Sequence, residues 1–228
     1  MTKAIKKRSE KRVGTTEEEL RETVVDIRQK LKERQRTLVY AVAIFVALAI
    51  SITGFAVYKK TSSGKALEME MEGYKLFYGD YQARVIPHDE RIKKALEMFK
   101  KSYAAGKRPD ALLYIANCQY ELGNYDEAVK TLKDLNNQFS DPKIISLSYY
   151  KLAMAYEKKG DMNNAIAALK NLLSIKDSPL QDMALMETGK ILELTGKNEE
   201  AINKYRELIN KFPKSALVSE ARARLGEK

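Results

Sequence analysis

The sequence predicts an all-α protein in which one apolar helix precedes an array of helical hairpins and a closing C-terminal helix. Three observations support this fold class. One uncharged run near the start has the length of a membrane span, no later segment sustains the apolar-polar alternation of a strand, and three turn sequences recur at a nearly constant interval. With 228 residues, 44% of them apolar, the chain is long enough to bury a core.

Residues 38–58 form the uncharged run, which Arg36 and Lys59 bound with positive charge. At about 1.5 Å per residue, a helix of this length reaches roughly 31 Å, which matches the hydrocarbon core of a bilayer. The run is longer than the apolar region of a cleaved signal peptide, and the segment before it is too long and too acidic to be part of one. We therefore predict a single transmembrane helix at 38–58.

Residues 1–37 are predicted to be a basic cytoplasmic tail. They contain 12 Lys or Arg and 7 Asp or Glu, a net charge of +5, which predicts contact with anionic lipid headgroups. Six basic residues in 18–37, against four in 59–78, favour a cytoplasmic N-terminus. Specific nucleic-acid binding is not expected, because acidic residues interrupt the basic ones and no aromatic residue lies among them.

The second half of the tail has the pattern of an amphipathic helix. Thr16 and Glu19 have the spacing of an N-terminal capping box. An apolar stripe follows at steps of three and four residues: Leu20, Val24, Ile27 and Leu31. This stripe could pair with a second copy or rest on lipid headgroups. Within the span, Ala43, Ala47 and Ser51 recur every four residues, a spacing that would let two helices pack closely, so a homodimer is a further alternative.

Residues 59–65 contain Thr61-Ser-Ser-Gly64 and are predicted to be a short flexible linker to a helical domain at 66–228. Three breaks in that domain share one pattern: Leu122-Gly-Asn-Tyr-Asp-Glu-Ala128, Lys159-Gly-Asp-Met-Asn-Asn-Ala165 and Thr195-Gly-Lys-Asn-Glu-Glu-Ala201. Their glycines are 37 and 36 residues apart. A left-handed glycine can end a first helix, and an alanine five residues later lets the second helix approach it closely.

The repeated pattern resembles the tetratricopeptide repeat (TPR). Its small first-helix residues are Ala116, Ala153 and Gly189, its turn glycines are Gly123, Gly160 and Gly196, its small second-helix residues are Ala128, Ala165 and Ala201, and its terminal proline is Pro213. The match covers about residues 109–213. Pro142 and Pro179 come later than in the family pattern, which implies longer turns between repeats.

A degenerate unit with helices at Ala66–Tyr81 and Asp89–Tyr103 precedes these repeats, which gives three to four hairpins, and residues 214–226 supply a capping helix. The order of tail, anchor and repeats resembles the YfgM-like ancillary subunits of the bacterial SecYEG translocon, although the tail here is longer. That resemblance implies an inner-membrane protein whose periplasmic repeats bind the translocon, chaperones or emerging polypeptides. The alternative is an organelle-membrane receptor whose cytosolic repeats recognise targeting peptides.

No catalytic motif is present, and the chain has one His and one Cys, so we expect no enzyme activity, no cofactor and no metal site. Cys118 is expected to be buried and His88 to lie on the surface. The resemblance implies that first helices line a groove for a protein partner or peptide. Counting along the repeats predicts these groove residues: Leu113, Asn117, Tyr120, Tyr150, Met154, Met183, Met186 and Lys190.

Leu, Tyr and Met side chains suit adaptable binding of apolar peptide segments. Tyr150 and Met154 are four residues apart on one helix, and we expect Leu113 and Met186 to flank them from the neighbouring repeats in one exposed apolar strip. The segment 78–88 is the alternative contact surface.

Overall fold

The computed structural model describes residues 17–79 and 85–227, and the regular secondary structure in these two ranges is entirely helical, as predicted. In chain order the helices are α1 (Glu17–Tyr78), α2 (His88–Gly106), α3 (Pro109–Glu121), α4 (Tyr125–Gln138), α5 (Pro142–Lys158), α6 (Met162–Leu173), α7 (Gln181–Leu194), α8 (Asn198–Lys211) and α9 (Val218–Arg224). Thr16 of the predicted capping box and residues 80–84 of the segment 78–88, the alternative contact surface, lie outside the described ranges.

The chain divides into two compact units, Met1–Lys59 and Lys60–Lys228. In the described part of the first unit, the apolar side chains of α1 are exposed, including Phe45 at 73% and Ile52 at 68%. Among the described residues, one helical stretch, Val39–Tyr78, is long and apolar enough to cross a membrane. Its most apolar 18 residues have a mean hydropathy of 2.3, and none of them is buried.

The prediction of a flexible linker at 59–65 is wrong, because these residues continue α1 as helix. Ser62 does not interrupt the helix, and its Oγ donates a hydrogen bond to the Ala105 carbonyl at 2.6 Å. Gly64 is also helical, a placement that costs only about 1 kcal/mol relative to alanine. Small polar residues lower helix propensity, but here they do not end the helix.

The second unit is a series of helical hairpins formed by α3 with α4, α5 with α6, and α7 with α8, and α9 packs against α8. The small residues of the repeat are buried where the helices meet, as predicted. Ala128, Ala165 and Ala201 are fully buried, and Ala116 and Ala153 are 1% and 3% exposed. A side chain at Gly189 would collide with the buried ring of Tyr205 on α8.

The predicted degenerate unit is also a hairpin, made by residues 66–78 of α1 with α2. Ala66, Ala95 and Phe99 are fully buried. The Phe99 ring packs so closely on Gly73 that a Cβ there would lie 2.8 Å from Cε1. The first helix of this hairpin ends at Tyr78, three residues before the predicted end at Tyr81.

The three predicted turns close in the same way. Gly123, Gly160 and Gly196 have φ of +76°, +75° and +76°, which confirms the left-handed caps. At the first turn, the Gly123 N–H donates to the Tyr120 carbonyl at 2.9 Å and the Asn124 N–H donates to the Gln119 carbonyl at 2.8 Å. This pair of bonds is the Schellman motif, and it recurs at the other two glycines.

The two late prolines occupy different places. Pro142 is the first residue of α5, whose N-cap Asp141 accepts hydrogen bonds from the backbone N–H groups of Lys143 and Ile144. Pro179 lies in the connection between α6 and α7, residues 174–180, which is longer than the connection at 139–141. The predicted longer turn is therefore found at Pro179.

Candidate peptide-binding face

The candidate site is the surface made by the half-exposed side chains of α3, α5 and α7, which we call the first-helix face. Helices α3 and α5 contact each other directly, although α4 lies between them in the sequence. Six of the eight predicted groove residues are half-buried and reach this face: Asn117, Tyr120, Tyr150, Met154, Met183 and Lys190.

The other two predicted groove residues do not reach it. Leu113 is 4% exposed and Met186 is fully buried, and both belong to the hydrophobic core. They occupy the same position in their repeats as Tyr150, whose longer, polar-tipped side chain stays half-exposed. The expectation that Leu113 and Met186 extend the exposed strip is therefore wrong, since packing of the hairpins takes up both side chains.

Tyr150 marks the centre of the first-helix face. Burial raises the pKa of its hydroxyl, nearby Glu187 and Glu157 raise it further, and Lys190 opposes them. Tyr120 on α3 is also within electrostatic range of the Tyr150 hydroxyl. Side chains from three first helices thus converge here, and they combine aromatic surface with carboxylates.

The face ends at α9. Lys190 Nζ lies 3.3 Å from Glu187 Oε1 on its own helix and 3.1 Å from Glu220 Oε1 on α9. Burial lowers the pKa of Lys190, but its bonds with Glu220 and Glu187 outweigh that effect and raise it overall. Arg224 of α9 lies 2.8 Å from Glu193 of α7. The predicted groove residue Lys190 is thus held by ion pairs.

Exposed apolar residues of α1 were missed in the sequence analysis. Leu67, Met71 and Tyr78 are 49%, 50% and 70% exposed, and their spacing of four and seven residues places them on one side of the helix. The Tyr78 hydroxyl lies 2.7 Å from the Tyr114 hydroxyl on α3, so this row adjoins the first-helix face. The spacing was visible within the helix predicted at Ala66–Tyr81, but spacing alone does not show which side of that helix the neighbouring helices leave exposed.

A buried charge fixes this end of the unit. Glu70 is 2% exposed, and it accepts hydrogen bonds from the Tyr74 hydroxyl at 2.6 Å and from Arg108 Nε at 2.8 Å. Burial and the bond to Glu70 raise the pKa of Tyr74, and the same carboxylate raises the pKa of Arg108. Because Glu70 and Tyr74 are on α1 and Arg108 caps α3, the network ties the two first helices together.

The side chains with reactive chemistry lie where the sequence predicts. Cys118 is fully buried, and burial raises the pKa of its thiol to about 12, so it is protonated at neutral pH. His88 is the exposed first residue of α2, with Nδ1 3.3 Å from Asp89. Within residues 17–79 and 85–227, no three His, Cys, Asp or Glu side chains come together as metal ligands would.

Comparison with known proteins gives relatives in sequence and in structure. Heat shock protein STI1 of Saccharomyces cerevisiae is 32% identical over 80 residues, 33% of this chain. This chain spans only 14% of the length of that relative. The solved TPR2AB domain of yeast Sti1 in complex with pHSP90 is 24% identical, with a TM-score of 0.43 over 70% of each chain.

Another solved structure, with a TM-score above 0.5, supports the fold. It consists of nearly identical TPR-like repeats from a Podosopora anserina protein assigned to the kinesin light chains. It is 16% identical, with a TM-score of 0.53 over 72% of this chain and 88% of that chain. A family model described as a tetratricopeptide repeat-like domain matches residues 31–225, which is most of the sequence. The chain therefore belongs to the tetratricopeptide repeat-like domain family.

Proposed function

We propose that this protein is a single-pass scaffold of the bacterial inner membrane that binds protein partners or unfolded segments with its TPR array. The observation that carries the proposal is that one chain contains both an exposed apolar helix and a TPR array, a fold that binds other proteins. No residue in the most apolar stretch of α1 is buried. Soluble proteins rarely expose so much contiguous apolar surface. A bilayer would cover it, because residues 38–58 match its thickness.

The proposed orientation places the N-terminus in the cytoplasm and the TPR array on the outer face. The excess of basic residues before the span supports this orientation, since positively charged flanks are retained in the cytoplasm. The order of tail, anchor and repeats suggests three kinds of partner: the Sec translocon, periplasmic chaperones and emerging polypeptides. TPR arrays are in general interaction scaffolds, and we expect this one to have no catalytic activity.

The contact surface that we propose is the first-helix face. Tyr150 and Met154 lie four residues apart on α5 and are both half-exposed, so a ligand can bury them without unfolding the hairpin. Tyr120 extends the aromatic surface on α3. Tyrosine and methionine supply large contact area, and methionine adapts to differently shaped ligands.

Protease accessibility tests the orientation. Protease added to spheroplasts should digest the TPR array and leave an N-terminal fragment protected, whereas intact cells should give no digestion. Protection of the repeats in spheroplasts would refute the proposed orientation and favour a receptor with cytosolic repeats.

Paired substitutions test the face. Tyr150→Ala with Met154→Ala should reduce recovery of partners crosslinked and co-purified from solubilised membranes by about thirtyfold, since truncated hot-spot side chains cost about 2 kcal/mol or more. Tyr103→Ala with Met98→Ala is the matched control, because both residues are half-buried on the second helix α2. Equal recovery with the two double variants would place the contact elsewhere, with segment 78–88 the next to test.

A further inference from the structure

The N-terminal part of α1 has an apolar stripe that is uncovered in the described part of the chain. Leu20, Val24 and Ile27 are 53%, 54% and 52% exposed. They follow one another at steps of four and three residues, which is the spacing of the contact positions in a coiled coil. Residues 17–37 are helical and belong to the first unit, whereas the TPR array and its first-helix face belong to the second.

The charges around this stripe are ordered. At about 100° per residue, Arg21 and Arg28 lie along one border of the stripe and Lys30 lies along the other. Glu22 and Asp26 fall on the opposite side of the helix, and Asp26 Oδ2 accepts from Lys30 Nζ at 2.8 Å. Over residues 20–30 the charged side chains at the borders are therefore cationic, and the acidic side chains lie away from the stripe.

The course of α1 disfavours a lipid surface as the occupant. The helix continues without a break from the stripe through residues 31–39 into the apolar segment. If residues 38–58 cross the bilayer, as proposed above, a continuous helix carries the stripe away from the headgroups. An amphipathic helix that lies on a membrane must instead run along its plane.

A second copy of this chain is also disfavoured. Arg34 lies seven residues after Ile27 and continues the line of the stripe. In a parallel pair of two copies, as anchoring in one membrane would require, the two Arg34 side chains would face each other across the seam. The borders would offer no opposite charge, since across a parallel seam Arg28 would approach Thr23 and Lys30 would approach Gln35.

We propose that this stripe docks an amphipathic helix of another protein, whose apolar seam is bordered by Asp or Glu and which places an acidic or polar side chain opposite Arg34. This inference rests on the proposed membrane anchoring. Opposite charges along the borders of a coiled coil select the partner, and like charges reject the wrong one. The contact covers about two heptads, so a partner held at the same membrane would gain most from the raised local concentration.

The test uses the full chain in phosphatidylcholine nanodiscs and two fluorescent probe peptides. Both peptides have the same Leu and Ile seam over about four heptads, one with Glu and the other with Lys at the border positions. Fluorescence anisotropy should show the Glu peptide binding at least about tenfold more tightly than the Lys peptide. The variant Arg21→Glu with Arg28→Glu should invert that preference, and a helical content unchanged by circular dichroism would show that it still folds.

Equal binding of the two peptides, or a preference unchanged by the charge reversal, would overturn the proposal. The variant Val24→Cys, labelled with an environment-sensitive dye, distinguishes the other occupants. A blue shift on adding phosphatidylserine to the nanodiscs would assign the stripe to lipid, and efficient disulfide dimers of Ile27→Cys would assign it to a second copy. Release of the chain from membranes by alkaline carbonate would refute the anchoring alone, because the peptide preference is measured separately.

Discussion

A tight helix contact in the second unit predicts the effect of one methyl group. Gly189 of α7 packs against the ring of Tyr205 on α8, and Tyr205 is fully buried. A Cβ at this glycine would lie 2.7 Å from the ring Cζ and 2.9 Å from Cδ1, well inside van der Waals contact. Because Tyr205 is fully buried, we expect its ring to shift only by displacing its neighbours or separating the two helices if Gly189 is replaced by alanine.

The net effect is the difference between two opposing terms. Overpacking of a core costs about 1–3 kcal/mol, and the short distances favour the upper value. Alanine is favoured over glycine within a helix by about 1 kcal/mol, which offsets part of that cost. We expect Gly189→Ala to lower the free energy of unfolding by about 2 kcal/mol, which corresponds to a melting temperature lower by about 4–8 °C for a unit of this size.

Thermal unfolding of the full chain in detergent, followed by far-ultraviolet circular dichroism, measures this shift. Gly64→Ala is the matched control, because Gly64 is helical and has nothing within 4 Å of an added Cβ. It should be neutral or raise the melting temperature. Adding Tyr205→Leu should reduce the cost of the alanine, as a double-mutant cycle would show. A Gly189→Ala protein as stable as the Gly64→Ala protein would refute the packing argument.

Three further outcomes follow from buried groups. Arg108→Ala should lower the free energy of unfolding by about 2 kcal/mol, because buried Glu70 loses its cationic partner, and Glu70→Gln in the same chain should recover part of the loss; an unchanged chemical denaturation midpoint would contradict this. Cys118 should resist iodoacetamide at pH 8.5 in the native chain and react in urea, since its raised pKa keeps it protonated below about 12; mass spectrometry reads this directly. As pH rises from the ordinary thiol pKa toward about 12, only the unfolded chain loses this proton, so the contribution of Cys118 to stability should fall, and the Cys118→Ala variant should lack that component.

The sequence predicted most of the hairpin architecture because its determinants are local. A glycine with positive φ and an alanine at a helix crossing are needed whatever surrounds them, and Gly123 and Ala128 are found in those roles. The linker prediction failed because helix propensity is a weak preference. The Thr, Ser and Gly residues at 61–64 lie between strong helix formers, and the helix continues through them.

The binding face was predicted only in part, because repeat position gives the direction of a side chain but not its depth. Leu113, Tyr150 and Met186 are equivalent in their repeats, yet only Tyr150 stays half-exposed. Side-chain length and the packing of neighbouring hairpins decide that depth, and neither can be read from spacing. Asn117, Met154 and Lys190 are also equivalent, and all three are half-exposed.

The turn after α9 has a consequence for how such an array can be lengthened. Gly226 has φ of +70°, its N–H donates to the Ala223 carbonyl, and the Glu227 N–H donates to the Arg222 carbonyl, as in the three internal turns. The turn after α9 therefore has the same geometry as the turns that join the first and second helices of the three repeats. A duplicated hairpin grafted at this point would find a compatible turn. The binding surface could therefore be lengthened by whole repeats while the existing first helices keep their spacing.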